Sequence, residues 1–446
     1  MTPYQETIKY LYSRLPMFSS QGTSAIKPGL DNIIRFCKLL DEPQTKFKSI
    51  HIGGTNGKGS TSHMLAAILQ TAGYKTGLYT SPHLRDFRER IRINGEMISE
   101  NEVIDFVSDN RENIEKIEPS FFETTVALAF QHFARHQVDV AVIEVGLGGR
   151  LDSTNIIHPQ LSVITNIGLD HVNILGDTVQ QIASEKAGII KQGVPVVIGQ
   201  RQPEVEDVFT GAAAKNDSEI VFASDKWEVK AVATERIATT NNPGTFQSVS
   251  VTPKSAEARV YQKSDRPVGN IELDLTGLYQ LKNLATVLSS VEQLRCGGFL
   301  ITHDHIKIGL KQVSSITGLM GRWQTLSTDP LVICDTGHNE DGIREVLKNI
   351  KAVAYSRLHM VIGMVKDKDI SKILQLLPKD AAYYFCQPDI PRAKEAQSLL
   401  EEAKAAGLSG NAYASVRKAL DAARLNAAPD DLIFVGGSTF VVAEVV

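Results

Sequence analysis

The segment between residues 47 and 72 constrains the fold most, because it joins a strand, a glycine-rich turn and a helix. FKSIHIGG (47–54) reads as a buried strand that ends in two glycines. STSHMLAAILQTA (60–72) carries apolar residues at helical spacing and stops at Gly73. A strand that enters a helix through a tight turn is the first half of a βαβ unit. The segment therefore predicts a mainly parallel sheet covered by helices.

Similar apolar runs continue the pattern. Further strands are predicted at YKTGLYT (74–80), VDVAVIEVG (138–146), QLSVITNIG (160–168) and GVPVVIG (193–199). Residues 224–275 are polar, and their broken alternation at WEVKAVA, FQSVSV, ARVYQ and NIELDL predicts a small antiparallel section. Helical spacing returns at residues 278–296.

A second α/β series begins near residue 321. LVICDTG, LHMVIGM, AAYYFCQ and DLIFVGG read as strands, with helical segments at 392–407 and 415–427. A chain of 446 residues exceeds what one hydrophobic core usually serves. We therefore expect two domains, with SSITGLMG (314–321) as the hinge between them.

Composition indicates an ordinary globular protein, with 42% hydrophobic and 22% charged residues. A net charge of −4 gives no electrostatic reason to expect nucleic-acid binding. The N-terminus lacks the apolar core of a signal peptide, and no apolar run is long enough to span a membrane. The four cysteines form no C-x-x-C pair and sit among apolar neighbours, which predicts buried free thiols and a cytoplasmic protein.

The turn GGTNGKGST (53–61) is a candidate phosphate-binding loop. Its backbone N–H groups and the following helix would point at one anion, and its glycines allow close approach. Lys58 would neutralise phosphate charge, while Ser60 or Thr61 would offer a hydroxyl to Mg²⁺. In the usual motif, G-x-x-x-x-G-K-[ST], the hydroxyl residue follows the lysine directly, whereas here Gly59 lies between Lys58 and Ser60. A glycine-rich turn with a solvated lysine is the alternative.

Two later segments offer candidates that are ambiguous when taken alone. Glu144 ends a predicted strand, where it could hold Mg²⁺ or merely cap a turn. The GLGG after it lacks the spacing of a dinucleotide fingerprint. In TNIGLDHVNILGDTVQQIASEKAGIIK (165–191), His171 is either a ligand or a structural residue, and Lys186 either functional or solvated. Asp177 is predicted to cap the helix that carries Lys186.

A fourth candidate is the arginine-rich stretch YTSPHLRDFRERIRING (79–95). Ser81 and Pro82 end a strand, and four arginines follow, at positions 85, 88, 90 and 92. The stretch is either a charged surface loop or a mobile basic loop near an anionic substrate.

Together these segments resemble the folylpolyglutamate synthase and dihydrofolate synthase family of the Mur ligase superfamily. The resemblance covers nearly the whole chain. It rests on KPGLDNI, GTNGKGS, YTSPHL, ERIRING, FFETTVALAF, EVGLGGRLDSTN, TNIGLDHVNILG, EKAGIIK, GRW, DTGHNEDG, GMVKDKD and GGSTFVV. It implies an α/β fold with a P-loop NTPase-like domain (1–316) and a Rossmann-like C-terminal domain (317–446). The first domain would hold a mainly parallel sheet plus the small antiparallel section. A glycine between the lysine and the hydroxyl residue, as at Gly59, is the form that this loop takes in the superfamily.

The resemblance implies an ATP-dependent amide ligase. A carboxylate would accept the γ-phosphoryl group of ATP, and the amine of L-glutamate would attack the resulting acyl phosphate. The acceptor would be dihydropteroate, a reduced folate or both, and the sequence favours both. The implied enzyme is a cytoplasmic monomer with two Mg²⁺ sites, and binds neither nucleic acid nor membrane.

Site residues follow from the matched motifs. The loop residues Thr55, Asn56, Gly57, Lys58, Gly59 and Ser60 would hold the ATP phosphates. Ser60 and Glu144 would hold one Mg²⁺, and Ser81, Glu144 and His171 a second. Lys186 matches a lysine that these ligases carbamylate. Lys58, Lys186, His171, Asp335 and His338 are the implied catalytic residues.

The remaining implied contacts lie on both sides of the hinge. Arg322 and Asp335 match nucleotide contacts, and Asn283 matches an asparagine near adenine, whereas Tyr279 replaces that motif's histidine. The folate or pteroate side would use Gly29, Leu30, Asp31, Phe122, Glu123, Leu151, Asp152 and Ser153. For Phe122 alone, core packing is the alternative.

Two other functions remain open at this stage. One is a different Mur-type ligase, such as a cell-wall peptide ligase, against which FFETT, ERIRING and DTGHN argue. The other is a nucleotide-binding switch protein, which would have no use for Ser81, His171 and Lys186 as a set.

Overall fold

The computed structural model describes residues 1–15, 29–237, 244–254, 269–366 and 370–446. The chain forms two compact units. The first comprises Met1–Asp274 with Gln280–Leu319, and the second comprises Leu275–Tyr279 with Met320–Val446. Both are α/β with parallel-dominated sheets, which confirms the predicted fold class. The domain limits 1–316 and 317–446 and the hinge at 314–321 remain predictions.

The main sheet of the first unit has eight strands in the order β4-β3-β2-β5-β1-β6-β7-β8. The six strands from β2 to β8 in this order run parallel, and β3 and β4 add an antiparallel edge. The strands are β1 (Lys48–Gly53), β2 (Thr76–Tyr79), β3 (Ile91–Ile93), β4 (Glu96–Met97), β5 (Val140–Glu144), β6 (Leu161–Ile164), β7 (Val196–Ile198) and β8 (Ile220–Phe222). All five predicted strands of this sheet are confirmed.

Helices cover this sheet, and on the face that bears Ile143, Ile164 and Ile198 they form two separate hydrophobic clusters with it. Those before β8 are α1 (Pro3–Arg14), α2 (Asp31–Leu39), α3 (Lys58–Thr71), α4 (Glu100–Asp109), α5 (Arg111–Ile117), α6 (Phe121–Arg135), α7 (Val172–Leu175), α8 (Val179–Ala187) and α9 (Glu206–Lys215). Short 3₁₀ turns lie at Pro43–Thr45, Phe87–Arg90 and Ser153–Ile156. The predicted helix 60–72 is confirmed and begins two residues earlier, at Lys58.

The predicted antiparallel section forms a three-stranded sheet in the order β11-β10-β9. Its strands are β9 (Trp227–Ile237), β10 (Gly244–Pro253) and β11 (Gly269–Leu273). Three of the four predicted fragments fall on these strands, while ARVYQ (258–262) lies outside the described residues. The flanking helices of the first unit are α10 (Ala223–Lys226), α11 (Gln280–Cys296), α12 (His303–Lys311) and α13 (Val313–Thr317).

The second unit contains a six-stranded sheet in the order β12-β13-β17-β14-β15-β16, in which only β12 is antiparallel. Its strands are β12 (Gln324–Thr328), β13 (Leu331–Asp335), β14 (Leu358–Ile362), β15 (Ala382–Cys386), β16 (Gly410–Tyr413) and β17 (Leu432–Gly436). Its helices are α14 (Glu340–Lys351), α15 (Ser371–Leu376), α16 (Ala396–Ala405), α17 (Val416–Asn426) and α18 (Thr439–Ala443).

The central strands β13, β14, β15 and β17 of the second unit are largely apolar because both faces of their sheet are buried. Ile433 and Val435 pack into one hydrophobic cluster, whereas Leu432 and Phe434 pack into the other. Successive side chains of a strand point to opposite faces, so a sheet covered on both faces needs apolar residues at every position.

Two local predictions are wrong. Helix α8 is capped by Thr178 with Gln181 in a capping box, one residue after the predicted Asp177. A threonine hydroxyl at that position reaches the N–H three residues on, as the aspartate was expected to do. Cys296 is exposed because it ends helix α11 at the surface, whereas Cys37, Cys334 and Cys386 are buried as expected.

No helix among the described residues has both the length and the apolar character needed to span a membrane. Parts of two family motifs, residues 27–28 of KPGLDNI and 367–369 of GMVKDKD, lie outside the described residues.

Candidate functional site

The glycine-rich loop between β1 and α3 has room for glycine alone at two positions. Gly54 has a φ of +133°, and a Cβ placed on it would lie 1.9 Å from Thr165 Oγ1. Gly57 has a φ of +87° and caps α3, and a Cβ there would lie 2.3 Å from Asn283 Oδ1. Positive φ and these close approaches exclude a side chain. The loop backbone therefore adopts a path that ends at a helix N-terminus, as anion-binding loops require.

A second loop, after β6, holds the glycine-rich loop in place. The N–H of Thr55 bonds to Asn166 O at 2.8 Å, and the N–H of Asn56 bonds to Asn166 Oδ1 at 2.9 Å. Thr165 Oγ1 donates to Asn56 O at 2.6 Å. This role of the TNIG segment in holding the loop was not predicted from the sequence. Its position directly after the strand that neighbours β1 was the available signal.

Two lysines converge on the same loop carbonyl. Lys58 Nζ donates to Gly54 O at 3.1 Å, and Lys186 Nζ donates to Gly54 O at 2.9 Å. Burial and the nearby charge of Lys58 lower the pKa of Lys186 to about 7, against smaller opposing effects of Asp170 and Asp152. A buried amine with this pKa is substantially neutral at physiological pH, so it can act as a nucleophile.

Gly59 lies inside the first turn of α3, because the helix begins at Lys58. The inserted glycine therefore extends the helix rather than the loop. Ser60 follows it and is buried, and its Oγ accepts a hydrogen bond from Gln280 Nε2 at 3.1 Å. Asn283 Nδ2 donates to Gln280 Oε1 at 2.7 Å, so one face of α11 borders the loop. Gln280 is a further residue that the sequence analysis missed.

Glu144 and Ser81 meet at the carboxyl edge of the same sheet. Glu144 ends β5, is buried, and accepts the N–H of Ser81 on Oε2 at 3.0 Å. Strand β5 lies directly beside β1, with Glu144 opposite Ile52. Because parallel strands end at one edge, the carboxylate, the Ser81 hydroxyl and the glycine-rich loop share one side of the sheet.

His171 lies in the loop that follows β6, also at this edge. It has a φ of +51° and precedes the short helix α7. Its N–H bonds to Asp170 Oδ1 at 3.0 Å, and its side chain is 30% exposed. The left-handed backbone at a non-glycine residue is uncommon and here turns the chain sharply after the strand.

The proposed folate-side residues lie on three neighbouring elements: α2, α6 and the 3₁₀ turn Ser153–Ile156. The Phe122 ring packs over Gly146, where an added Cβ would lie 2.3 Å from its Cζ. Asp152 is buried and accepts the N–H groups of Leu147 at 2.8 Å and Thr154 at 3.0 Å. Glu123 is also buried and accepts the N–H of Ser120 in a capping box.

The structure thus gives Asp152 and Glu123 local structural roles. The other candidates around them differ in exposure: Leu151 is exposed at 43%, and Leu30 and Phe122 are half-buried. Gly29 has a φ of +101° just before α2, and Asp31 opens that helix.

In the second unit, Asp335 ends β13 and organises its surroundings. Oδ2 accepts Tyr279 Oη at 2.6 Å and the N–H of Trp323 at 2.8 Å, and Oδ1 accepts the N–H of Gly337 at 2.7 Å. Burial raises the pKa of Asp335, and these hydrogen bonds oppose that rise. Tyr279, which replaces the family's histidine, is therefore a partner of Asp335.

Arg322 and His338 flank Asp335 in the same unit. Arg322 Nη1 donates to Thr336 Oγ1 and, at 3.3 Å, to Gly321 O. His338 Nδ1 lies 3.0 Å from Thr336 O, a contact that requires Nδ1 to carry the proton. The structure therefore brings the three predicted residues of this unit into one cluster around Thr336.

The arginine-rich stretch is largely engaged within its own unit. Arg88 pairs with Asp86 at 2.7 Å, and buried Arg90 donates to His83 Nδ1 at 2.7 Å. Arg92 is also buried and donates to Gly95 O at 2.9 Å. These contacts favour a structural role over a mobile basic loop for three of the four arginines.

Two family models match the chain. Residues 52–291 match the Mur ligase middle domain, and residues 321–439 match the glutamate ligase domain of Mur ligases. The dihydrofolate synthase/folylpolyglutamate synthase of Bacillus subtilis is 33% identical over 90% of this chain and 89% of its own length. A probable bifunctional folylpolyglutamate synthase/dihydropteroate synthase of Haloferax volcanii is 34% identical over 99% of this chain, which spans 50% of that longer protein.

Solved structures agree with these matches. Escherichia coli FolC in complex with DHPP and ADP is 30% identical, covers 100% of this chain and 97% of its own, and gives a TM-score of 0.79. A bifunctional folylpolyglutamate synthase/dihydrofolate synthase with Mn, AMPPNP and L-glutamate bound is 29% identical, with the same coverage and TM-score. The chain therefore belongs to the folylpolyglutamate synthase/dihydrofolate synthase family, within the ATP-dependent Mur ligases.

Proposed function

We propose that the chain joins L-glutamate to dihydropteroate, to folate polyglutamates or to both, with ATP converted to ADP and phosphate. One observation carries the proposal: Lys58 and Lys186 meet at Gly54 O, on the sheet edge that also bears Ser81 and Glu144. A plain nucleotide-binding switch has no need for a buried, partly neutral second lysine at its phosphate loop. The relatives' bound ADP, DHPP, AMPPNP and L-glutamate fit the same reaction.

ATP would bind with its phosphates on the loop from Thr55 to Ser60. The N–H groups at the start of α3 and the Lys58 ammonium supply positive charge where phosphoryl transfer accumulates negative charge. Asn283 stands beside Gly57 and would approach the nucleotide from α11. The family resemblance implies Arg322 and Asp335 as further nucleotide contacts.

The donor set at the sheet edge fits Mg²⁺. Hydroxyl and carboxylate oxygens are the ligands that this ion prefers. Ser60 and Glu144 would hold one ion, and Ser81, Glu144 and His171 a second. Bound Mg²⁺ would neutralise phosphate charge during transfer. The hydrogen bond from the N–H of Ser81 fixes Glu144 Oε2 and so orients the carboxylate.

Lys186 is proposed to be carbamylated. Its pKa of about 7 leaves a large neutral fraction, and a neutral amine adds CO₂ to form a carbamate with release of one proton. The carbamate carries a negative charge beside the Lys58 ammonium. The modification therefore replaces the repulsion between two ammonium groups by an attraction between the Lys186 carbamate and Lys58. Carbon-13 NMR of the protein in labelled bicarbonate would detect the carbamate, and its absence from Lys186→Ala would assign the signal.

The protein residues divide the two chemical steps between them. A substrate carboxylate attacks the γ-phosphorus of ATP, ADP leaves, and an acyl phosphate forms while Lys58 stabilises the transferred charge. The glutamate amine then attacks the acyl carbon, and phosphate leaves. The amine must lose a proton in this step, and His338 is proposed to accept it, whereas His171 serves as a ligand of the second Mg²⁺. The Thr336 carbonyl fixes the tautomer of His338.

The pterin end is proposed to bind between α2, α6 and the turn at Ser153–Ile156. Phe122 and Leu151 offer apolar surface there. Gly29, Leu30, Asp31 and Ser153 would add backbone and polar contacts. Because Asp152 and Glu123 bond to backbone N–H groups, we assign them to positioning this pocket. The proposal also retains a cytoplasmic monomer, in keeping with the cysteine pattern and the family resemblance.

Phosphate release with ATP, Mg²⁺ and L-glutamate tests the proposal, with dihydropteroate and tetrahydrofolate as alternative acceptors. We expect release only when glutamate and an acceptor are both present. Turnover with both acceptors would indicate a bifunctional enzyme, and turnover with one a monofunctional enzyme. Release that needs neither substrate would refute the ligase function, and turnover only with a peptide precursor would indicate a cell-wall ligase.

A further inference from the structure

A cluster of side chains that could bind a metal lies in the first unit, away from the proposed catalytic site at the carboxyl ends of β1, β5 and β6. It comprises Glu102 on α4, His132 on α6 and His136, which caps the end of α6. One potential ligand atom from each residue lies within 4.8 Å of the others. The two histidines are four residues apart, so they lie on one face of the helix.

The distances within this cluster are close to those of a metal site. Glu102 Oε1 lies 3.1 Å from His132 Nδ1 and 2.7 Å from His136 Nε2. Ligands at about 2.0–2.1 Å in a tetrahedral zinc site stand roughly 3.3 Å apart. To bind an ion, His132 Nδ1 and His136 Nε2 would therefore move away from Glu102 Oε1 by about 0.2 and about 0.6 Å.

The carboxylate is held in place by a residue beside it. Ser99 Oγ donates to Glu102 Oε2 at 2.7 Å, and the N–H of Ser99 donates to the same oxygen at 3.2 Å. Oε1 alone faces the histidines, so Glu102 presents one fixed oxygen. Metal-ligating carboxylates are commonly oriented by hydrogen bonds of this kind.

Exposure and charge are also suitable. The side chains of Glu102 and His136 are 37% and 43% exposed, whereas that of His132 is buried, so an ion could enter from solvent with a water as fourth ligand. Burial lowers the pKa of His132 to about 4, so its ring is neutral at physiological pH. Burial opposes ionisation of Glu102, but hydrogen bonds from His136 and Ser99 outweigh it and lower the pKa of Glu102 to about 2.

We propose that Glu102, His132 and His136 form a binding site for a transition-metal ion of the zinc class, which ties α4 to the end of α6. Zinc replaces the protons through which the two rings contact Glu102 Oε1, and these protons go to solvent. Imidazole nitrogen favours zinc over magnesium, and this site offers two imidazoles, whereas the proposed Mg²⁺ sites have mainly oxygen ligands with His171 as the one imidazole.

Zinc titration of the full-length protein in excess Mg²⁺ tests the site. We expect one zinc equivalent in the wild type and affinity at least about tenfold weaker in His136→Ala. His136 is exposed, so this variant should fold, and circular dichroism checks that it does. His158→Ala, which removes another exposed histidine, and His171→Ala, at the proposed catalytic edge, are controls that should bind zinc as the wild type does.

Two further measurements distinguish a specific metal site from nonspecific binding of zinc to histidines. Cobalt should give the intense visible bands of four-coordinate geometry in the wild type but not in His136→Ala. At the same zinc concentration, zinc should raise the melting temperature of the wild type more than that of His136→Ala. Equal zinc affinity in the wild type and His136→Ala, or loss of zinc from His171→Ala instead, would overturn the proposal.

Discussion

Lys58 and Lys186 donate hydrogen bonds to one acceptor, the carbonyl oxygen of Gly54, at 3.1 and 2.9 Å. Two ammonium groups on one oxygen repel each other, and that repulsion joins burial in lowering the pKa of Lys186. The phosphate loop and helix α8 are thereby coupled through a single backbone atom.

Replacement of Lys186 by alanine should lower turnover at least tenfold, a barrier increase of about 1.4 kcal/mol. Folding should be retained because Lys58 still bonds to Gly54 O. Steady-state phosphate release measures the loss. Lys191→Ala is the matched control, since Lys191 is also partly buried and bonds to a backbone carbonyl, that of Asn155. Unchanged kinetics in Lys186→Ala would remove this lysine from the mechanism.

Stability should depend on pH through Lys186. Its pKa is lowered from 10.5 to about 7, so between these values the unfolded chain holds a proton that the folded chain lacks. Stability should therefore rise with pH above about 7, by up to about 1.4 kcal/mol per pH unit. Urea unfolding in CO₂-depleted buffer at several pH values measures this slope. Lys186→Met should lack that contribution, and an identical slope in both proteins would contradict it.

Glu144→Gln should raise the Mg²⁺ concentration needed for half-maximal activity. Glutamine keeps an oxygen that can accept the N–H of Ser81, so the local structure should survive, but the negative charge is lost. Activity titrated with Mg²⁺ measures the shift, for which we expect about tenfold or more. Glu204→Gln removes an exposed surface carboxylate and should titrate as the wild type does. A wild-type titration curve in Glu144→Gln would refute the ligand role.

Gly54→Ala should destabilise the protein and abolish ATP binding. The added Cβ would lie 1.9 Å from Thr165 Oγ1, and the backbone of an alanine is strained at a φ of +133°. We expect a loss of more than about 1 kcal/mol. Gly211→Ala is a control at a position with space for a side chain. Gly211 lies in α9, and no atom lies within 4 Å of the added Cβ. That change should stabilise the protein by roughly 0.5–1 kcal/mol. Thermal melts and nucleotide titration distinguish the two.

Tyr279→Phe should destabilise the second unit. The buried carboxylate of Asp335 would lose the donor 2.6 Å from Oδ2, at a cost of about 1–3 kcal/mol. Thermal unfolding compared with Tyr413→Phe, whose ring is half-buried on β16, measures the effect. Tyr279→His, which restores the family residue, shows whether a ring nitrogen can replace the hydroxyl. Equal stability of the two phenylalanine variants would mean that Asp335 does not depend on Tyr279.

The strands and the glycine-rich loop were predictable because their signals are local. A fully buried parallel strand needs a continuous apolar run, and β5 and β17 show one, whereas β1 includes Ser49 and His51. The start of α8 was misplaced by one residue because Asp177 and Thr178 are both good caps. Only the actual backbone path selects between neighbouring caps.

The candidate site was predictable as a set of motifs but not as a geometry. Glu144, His171 and Lys186 were each ambiguous until family resemblance joined them. Gln280 and Asn166 were missed because glutamine and asparagine carry no distinctive local pattern. Their importance comes from hydrogen bonds to residues far away in the chain.

The sequence by itself determined the α/β class, the phosphate loop and the family, because these depend on periodicity and on ordered local motifs. The tertiary structure decided which residues share an environment. It buried Lys186 against Gly54 O, turned Tyr279 toward Asp335 and set Glu102 between His132 and His136. The physical reason is that pKa values and ligand geometry depend on distance and burial, which packing sets between segments far apart in sequence.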